Sequence, residues 1–228
     1  GLLAGSGVPV PRAVPVSGRE ELLERAAGQV LWVKLASGSS ASGVGVLVQG
    51  GRVLMTTVRE EDGRRFNAFR IQRLEGGARN RVLDWLLAEG AQVEEDVRRP
   101  RLDGAFFDLR VLVVEGVPRF AVVRQARHPI TNLHLGGWRG DPGTLADRLG
   151  ADGLATLDGV CRDVARVLPA GHLGVDVAVR TGFRDVAVLE VNAFGDLLPR
   201  LENAGLDTYG AEIAALLPSG TGPVLQSP

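Results

Sequence analysis

Two short hairpin connections constrain this chain more than any other feature. Phe106 to Glu115 and Val117 to Gln125 are apolar runs that meet at Glu115-Gly116, and Leu173 to Arg180 and Asp185 to Val191 are joined through Thr181 to Phe183. Such connections force antiparallel pairing, since a parallel crossover needs roughly a dozen residues or more. Further strand candidates lie at Val30 to Lys34, Val44 to Val48, Arg52 to Val58 and Gln92 to Val97. Helical stretches at Glu20 to Ala27, Ala78 to Ala88, Leu154 to Leu168 and Thr208 to Leu217 fall between and after them. Ser17 as N-cap and Glu20 at the third helical position form a capping box for the first helix. Residues 59–77 are polar and harder to place, with a short strand candidate around Phe69 to Leu74, while HLGGWRGDPG (134–143) reads as a Gly-rich loop. Adjacent hairpins mixed with helices predict an α+β fold rather than a parallel doubly wound sheet.

The 228 residues suffice for one large domain or two small lobes with a real core. A content of 45% hydrophobic and 23% charged residues is that of a globular chain, not a disordered one. A net charge of −1 argues against a bulk electrostatic partner such as duplex nucleic acid. The single cysteine, Cys161, forms no internal disulfide and fits a reducing, cytoplasmic setting. No apolar run reaches the roughly 18–20 residues that span a bilayer, so no membrane partner is expected. Lysine is almost absent: 25 Arg stand against one Lys, Lys34. Codon bias accounts for the arginines, and it leaves Lys34 as a position where a compact ammonium is wanted.

The common nucleotide motifs are missing, including a Gly-Lys-Ser/Thr loop and G-x-G-x-x-G after a strand. His128, His134 and His172 are scattered and suggest no zinc site. What remains is charge inside apolar strands. Asp176 sits in LGVDVAV, and Glu190 and Asn192 alternate in VLEVN, so the latter two share a strand face. If the two strands pair, two carboxylates and one amide form a hard oxygen set suited to Mg²⁺. Edge-strand polar residues facing solvent are the alternative. Asp108 and Arg110 alternate in FFDLRVLVV, Arg124 lies in AVVRQA, and Asn132 and His134 follow in TNLHLGG. Buried arginine demands an anion, either a ligand or a protein carboxylate such as Asp108.

Taken together these motifs resemble the ATP-grasp superfamily, in particular the RimK and glutathione-synthetase-like carboxylate–amine ligases. The order is V-K with a small-residue loop, a Glu-rich hinge strand, D-L-R, a basic strand, N-L-H-x-G-G, G-V-D and E-V-N, over roughly residues 6–217. The resemblance implies two lobes, each built on an antiparallel or mixed sheet with helices, with the nucleotide site between them. It implies a small lobe at 17–97, a large lobe at 98–218 and a tail at 219–228. Residues 1–16 then read as the linker from a preceding domain, of which this chain is a continuation.

By the same resemblance, Lys34 reaches the ATP phosphates and the loop with Ser37, Gly38, Ser39 and Gly43 closes over them. Glu94, Glu95 and Asp96 surround adenine and ribose, without a choice among the three. Asp176, Glu190 and Asn192 match the ligands of Mg²⁺, for which Mn²⁺ substitutes. Arg110, Arg124 and Asn132 match positions near the transferred phosphate and the acyl group, and His134 has no assigned role. The implied reaction activates a small-molecule or peptide carboxylate as an acyl phosphate and passes it to an amine or similar nucleophile. An ATP-binding module without ligase activity is the alternative. The Arg-rich stretch VRRPRLDGAFF (97–107) departs from the pattern, either as a solvated basic loop or as a contact for an anionic partner.

Overall fold

The computed structural model describes residues 1–36, 41–193 and 198–217. In chain order they form α1 (Leu2–Gly5), α2 (Arg19–Ala26), β1 (Leu31–Lys34), β2 (Val44–Val48), β3 (Val53–Glu61), β4 (Arg64–Glu75), α3 (Gly76–Ala88) and β5 (Gln92–Glu95). There follow β6 (Phe106–Val114), β7 (Val117–Ala126), a single 3-10 turn at Leu133–Leu135, β8 (Trp138–Arg139), α4 (Pro142–Val167), β9 (His172–Val179), β10 (Val186–Asn192), β11 (Glu202–Asn203), β12 (Leu206–Asp207) and α5 (Thr208–Leu216). The strands order as β4-β3-β2-β1-β5 and as β10-β9-β6-β7-β8, with a small β11-β12 ribbon. The α+β expectation holds. Among the described residues no helix is long and apolar enough to cross a membrane.

The chain divides into two compact units, one of Pro11–Phe107 with Arg124–Arg139, the other of Gly1–Val10, Asp108–Val123 and Gly140–Pro228. In the first unit, alternation along β1 sends Leu31 and Val33 into a core with Leu22, Ala26, Leu47, Leu54 and the helical Val82, Leu83 and Leu86. Trp32 and Lys34 therefore point to the opposite face, where Trp32 joins Val44, Val46, Ile130 and Leu135. Val14 N–H donates to the Val93 carbonyl at 2.8 Å and Glu95 N–H to the Arg12 carbonyl at 3.0 Å. The segment expected to be a plain connector thus covers the free edge of β5, which would otherwise template foreign pairing.

Several local expectations shift. The N-cap of α2 is Gly18, not Ser17. Glu21 rather than Glu20 reaches back, accepting from both the backbone N–H and the hydroxyl of Ser17 at 2.8 Å. The polar stretch after β3 is a full strand, Arg64–Glu75. The Gly-rich loop before the long helix is shorter than expected, because α4 begins at Pro142 with Asp141 capping the Thr144 N–H. Gly150 (φ 62°) interrupts that helix.

In the second unit β9 is an interior strand, flanked by β6 and β10, and its residues are buried from Leu173 through Val179. Leu112, Val114, Phe120 and Val122 share an apolar cluster with Leu198, against which Leu201 and, from α5, Ala211 pack. His172 Nδ1 meets the Glu212 carboxylate, a polar link between β9 and α5.

Candidate functional site

The register of β9 assembles the first group. Arg110 of β6 lies opposite Asp176, and on the other side Glu190 of β10 lies opposite the same Asp176. Asn192 lies opposite Gly174, as does Leu112 from β6. Arg110, Gly174, Asp176, Glu190 and Asn192 therefore occupy one face of three strands.

A bulge makes this possible. Val188 pairs with Val177, yet Glu190 pairs with Asp176, so Leu189 is an extra residue without a partner. Without it, period-two alternation would put Glu190 on the Val175–Val177 side of the sheet. One inserted residue turns Glu190 and Asn192 toward Asp176, which is a common use of bulges beside sites.

Arg110 Nε lies 2.6 Å from Oδ1 of Asp176 and Nη2 donates to Oδ2 at 3.3 Å, with the two side chains only 16% and 8% exposed. The partner of Arg110 in this sheet is thus Asp176. The seat for the guanidinium is Gly174, where a Cβ would come within 2.7 Å of Nη1. Glu190 is exposed and makes no hydrogen bond or ion pair among the described residues. Asn192 carries a buried Nδ2 without a hydrogen-bond partner. A half-turn of the amide exchanges nitrogen and oxygen and would put an acceptor in that position. Two carboxylates and one amide oxygen are a hard donor set, so these residues fit Mg²⁺ or Mn²⁺ and would not favour zinc. Among the described residues no three His, Cys, Asp or Glu side chains converge as a metal cluster.

The second group surrounds Lys34. Its Nζ donates to Oε2 of Glu94 at 2.6 Å and lies 5.7 Å from the Trp32 ring centre. Each acid of the 94–96 segment has its own partner: Glu95 pairs with Arg12 at 2.9 Å, and Asp96 accepts from Trp32 Nε1 and the Arg98 N–H, both at 2.8 Å. Ser37, Gly38 and Ser39 lie outside the described residues, while Gly43 sits at φ 66° with Leu35 Cδ1 where a Cβ would be. The stem of this loop is fixed by two buried hydroxyls, Thr57 Oγ1 to the Ala41 carbonyl and Thr56 Oγ1 to the Val44 carbonyl, each 2.7 Å.

Arg124 is buried in β7 opposite Arg139 of β8. Asn132 spends its Oδ1 on the His134 N–H at 2.8 Å, capping the 3-10 turn, and His134 itself is exposed. Gly137 closes that turn in a space where a Cβ would strike the Asn132 carbonyl at 2.7 Å. The Arg-rich stretch is not simply solvated. Arg99 donates to the Pro129 carbonyl at 2.8 Å and lies 5.1 Å from the Trp32 ring centre, while Arg101 stacks on Phe106.

Sequence alone assigns no individual role to Trp32, Thr56 or Thr57, nor to Gly174 within G-V-D, and Arg99 enters only as part of the Arg-rich stretch. Two of them carried a readable signal, since Trp32 and Gly174 each stand two residues before a candidate site residue in a strand.

No protein-family model matches this sequence, and no curated protein does so either. Solved structures do. The RiPP-associated ATP-grasp ligase of Chryseobacterium gregarium, in complex with ADP and a leader and core peptide, gives a TM-score of 0.52 at 14% identity over 95% of this chain and 56% of that one. ATP-grasp ligase PsnB with a minimal precursor gives 0.52 at 16% identity, over 94% and 58%. D-alanine–D-alanine ligase of Bacillus anthracis with ATP gives 0.51 at 14%, over 93% and 57%. The chain spans little more than half the length of these neighbours. Likeness at such low identity concerns the backbone, and on that ground the chain has the ATP-grasp fold.

Proposed function

We propose that this chain is the ATP-binding part of an ATP- and Mg²⁺-dependent ligase, which turns a carboxylate into an acyl phosphate and joins it to an amine or similar nucleophile. The observation that carries the reading is the bulge at Leu189, which gathers Glu190 and Asn192 beside Asp176. Asp176, Glu190 and Asn192 would hold the metal. Bound there, magnesium would neutralise charge on the phosphates.

In this reading Lys34 binds phosphate, and Glu94, Glu95 and Asp96 serve adenine and ribose through carboxylate and backbone contacts. The loop ending at Gly43 encloses the phosphates. Arg110 and Arg124 meet the anionic reacting groups, and Asn132 shapes the segment beside them through its turn. No protein nucleophile is needed, in keeping with Cys161, which is fully buried and whose thiol burial pushes up to about 12. A peptide as carboxylate or amine donor is supported by the peptide complexes of two of the neighbours.

Thermal unfolding with and without Mg-ATP tests the binding claim, because a ligand that binds only the native state raises the midpoint. The wild-type chain should be stabilised by Mg-ATP, and Glu190→Gln should lose that response while unfolding normally without ligand. A wild-type midpoint unmoved by a large excess of Mg-ATP would sink the reading. Release of ADP and phosphate across a panel of carboxylates, peptides and amines then tests the ligase claim.

A further inference from the structure

We propose that Arg110, seated over Gly174, is the exchangeable counter-ion of the candidate metal site: it holds Asp176 when no cation is bound, and cation loading displaces it from that carboxylate. The inference rests on reading Asp176, Glu190 and Asn192 as cation ligands.

Asp176 is only 6% exposed, and its cross-strand neighbour on the β10 side is another carboxylate, Glu190. Like charges directly opposite on a sheet repel, and a buried carboxylate needs a compensating cation. Arg110 supplies it: Nη2 donates to Oδ2 at 3.3 Å, and Nε lies 2.6 Å from Oδ1 as an ion-pair contact without hydrogen-bond geometry. Both oxygens a metal would use thus lie within ion-pairing range of the protein's own guanidinium. A dication on the same carboxylate would face that guanidinium at close range in a poorly screened interior, so the two cations compete.

Gly174 decides how well Arg110 competes. A Cβ at this position would lie 2.7 Å from Nη1 and 3.5 Å from Cδ of Arg110, so the guanidinium rests on the bare Cα of the glycine. Any side chain there pushes it away from Asp176. Gly174 is thus a positioning residue for the site, acting through Arg110, and a displaced Arg110 becomes a mobile cation on the same sheet face, available to an anionic ligand.

The test is Mn²⁺ binding to the nucleotide-free chain, followed by the loss of the free-ion electron paramagnetic resonance signal. Arg110→Met keeps length and removes charge, and it should tighten Mn²⁺ binding roughly ten-fold by abolishing the competition. Gly174→Ala keeps the charge but unseats it, and should give a smaller gain in the same direction. If Arg110→Met fails to fold, as judged by circular dichroism, Gly174→Ala decides alone. Unchanged or weaker Mn²⁺ binding in the folded variants, with the Mg-ATP thermal response present in the wild type, overturns the exchange role and leaves the proposed function standing. Absence of both Mn²⁺ binding and the Mg-ATP response in the wild type overturns the two together.

Discussion

The neighbourhoods of Lys34 and of Asp176 each set a cation against a carboxylate on the face of a sheet, yet they are finished to different degrees. Around Lys34 the ladder is regular, with Trp32 opposite Glu94 and Lys34 opposite Gln92. Every acid of the 94–96 segment is matched, by Lys34, Arg12 or the pair of Trp32 and Arg98. Around Asp176 the ladder is broken at Leu189, Glu190 stands exposed, and the Nδ2 of Asn192 is buried without a hydrogen-bond partner. The first region satisfies itself; the second pairs one of its two carboxylates and leaves a polar set that its own residues do not complete. Saturated polar networks fix a structure, whereas an incomplete one beside a bulge keeps capacity for a ligand.

The contrast has an energetic side. Removing one member of a buried ion pair strands the other, so Asp176→Ala should lower unfolding free energy by about 3–5 kcal/mol, read from urea denaturation. The Lys34–Glu94 pair is more open, at 23% and 16% side-chain exposure, and Lys34 keeps its Trp32 contact if the carboxylate is lost. Glu94→Gln should therefore remove only about 1–2 kcal/mol. Equal losses in the two variants would erase the distinction drawn between the regions.

The sequence carried the strands and hairpins well, because their signals are local. Glu115 and Gly116 adopt φ of 47° and 73°, the left-handed pair that a two-residue hairpin turn requires, and the turn was readable for that reason. The start of α4 was equally local, since Asp141 and Pro142 are a cap and a first-turn proline, but the surrounding glycines masked them. The strand Arg64–Glu75 was hard to read because it is an exposed edge strand, and polar residues on both faces leave no alternation to detect.

At the candidate site, Asp176, Glu190 and Asn192 could be chosen as polar residues in apolar strands, and the shared face of Glu190 and Asn192 followed from their spacing. The register did not follow. Straight alternation from Val188 would have turned Glu190 away from Asp176, and nothing in VAVLEVN announces that Leu189 is the extra residue. The Lys34–Glu94 pair was also out of reach, since it depends on β1 lying beside β5, an adjacency of strands far apart in the chain. Gly174 acquires its meaning only once Arg110 is known to cross over it.

The smallest predicted effect probes whether the self-satisfied character of the first unit extends to its surface. Glu21 accepts the Ser17 backbone N–H, and with the Arg25 guanidinium and the Ser17 hydroxyl this lowers its pKa from 4.5 to about 2. A pKa depressed on folding means stabilisation that is complete above the unfolded value and lost as pH falls toward the folded one. The stability difference between wild type and Glu21→Gln should thus be constant above pH 4.5, shrink below it, and vanish near pH 2. The carboxylate stays solvent-accessible, with 32% of the side chain exposed, so the difference should be small and should weaken with added salt. Urea unfolding of both proteins from pH 6 down to pH 2.5 measures it. A difference that persists undiminished at the acid end would mean that Glu21 supports α2 through packing of its side chain rather than through its charge, and that the network of matched charges stops at Lys34 and the 94–96 segment.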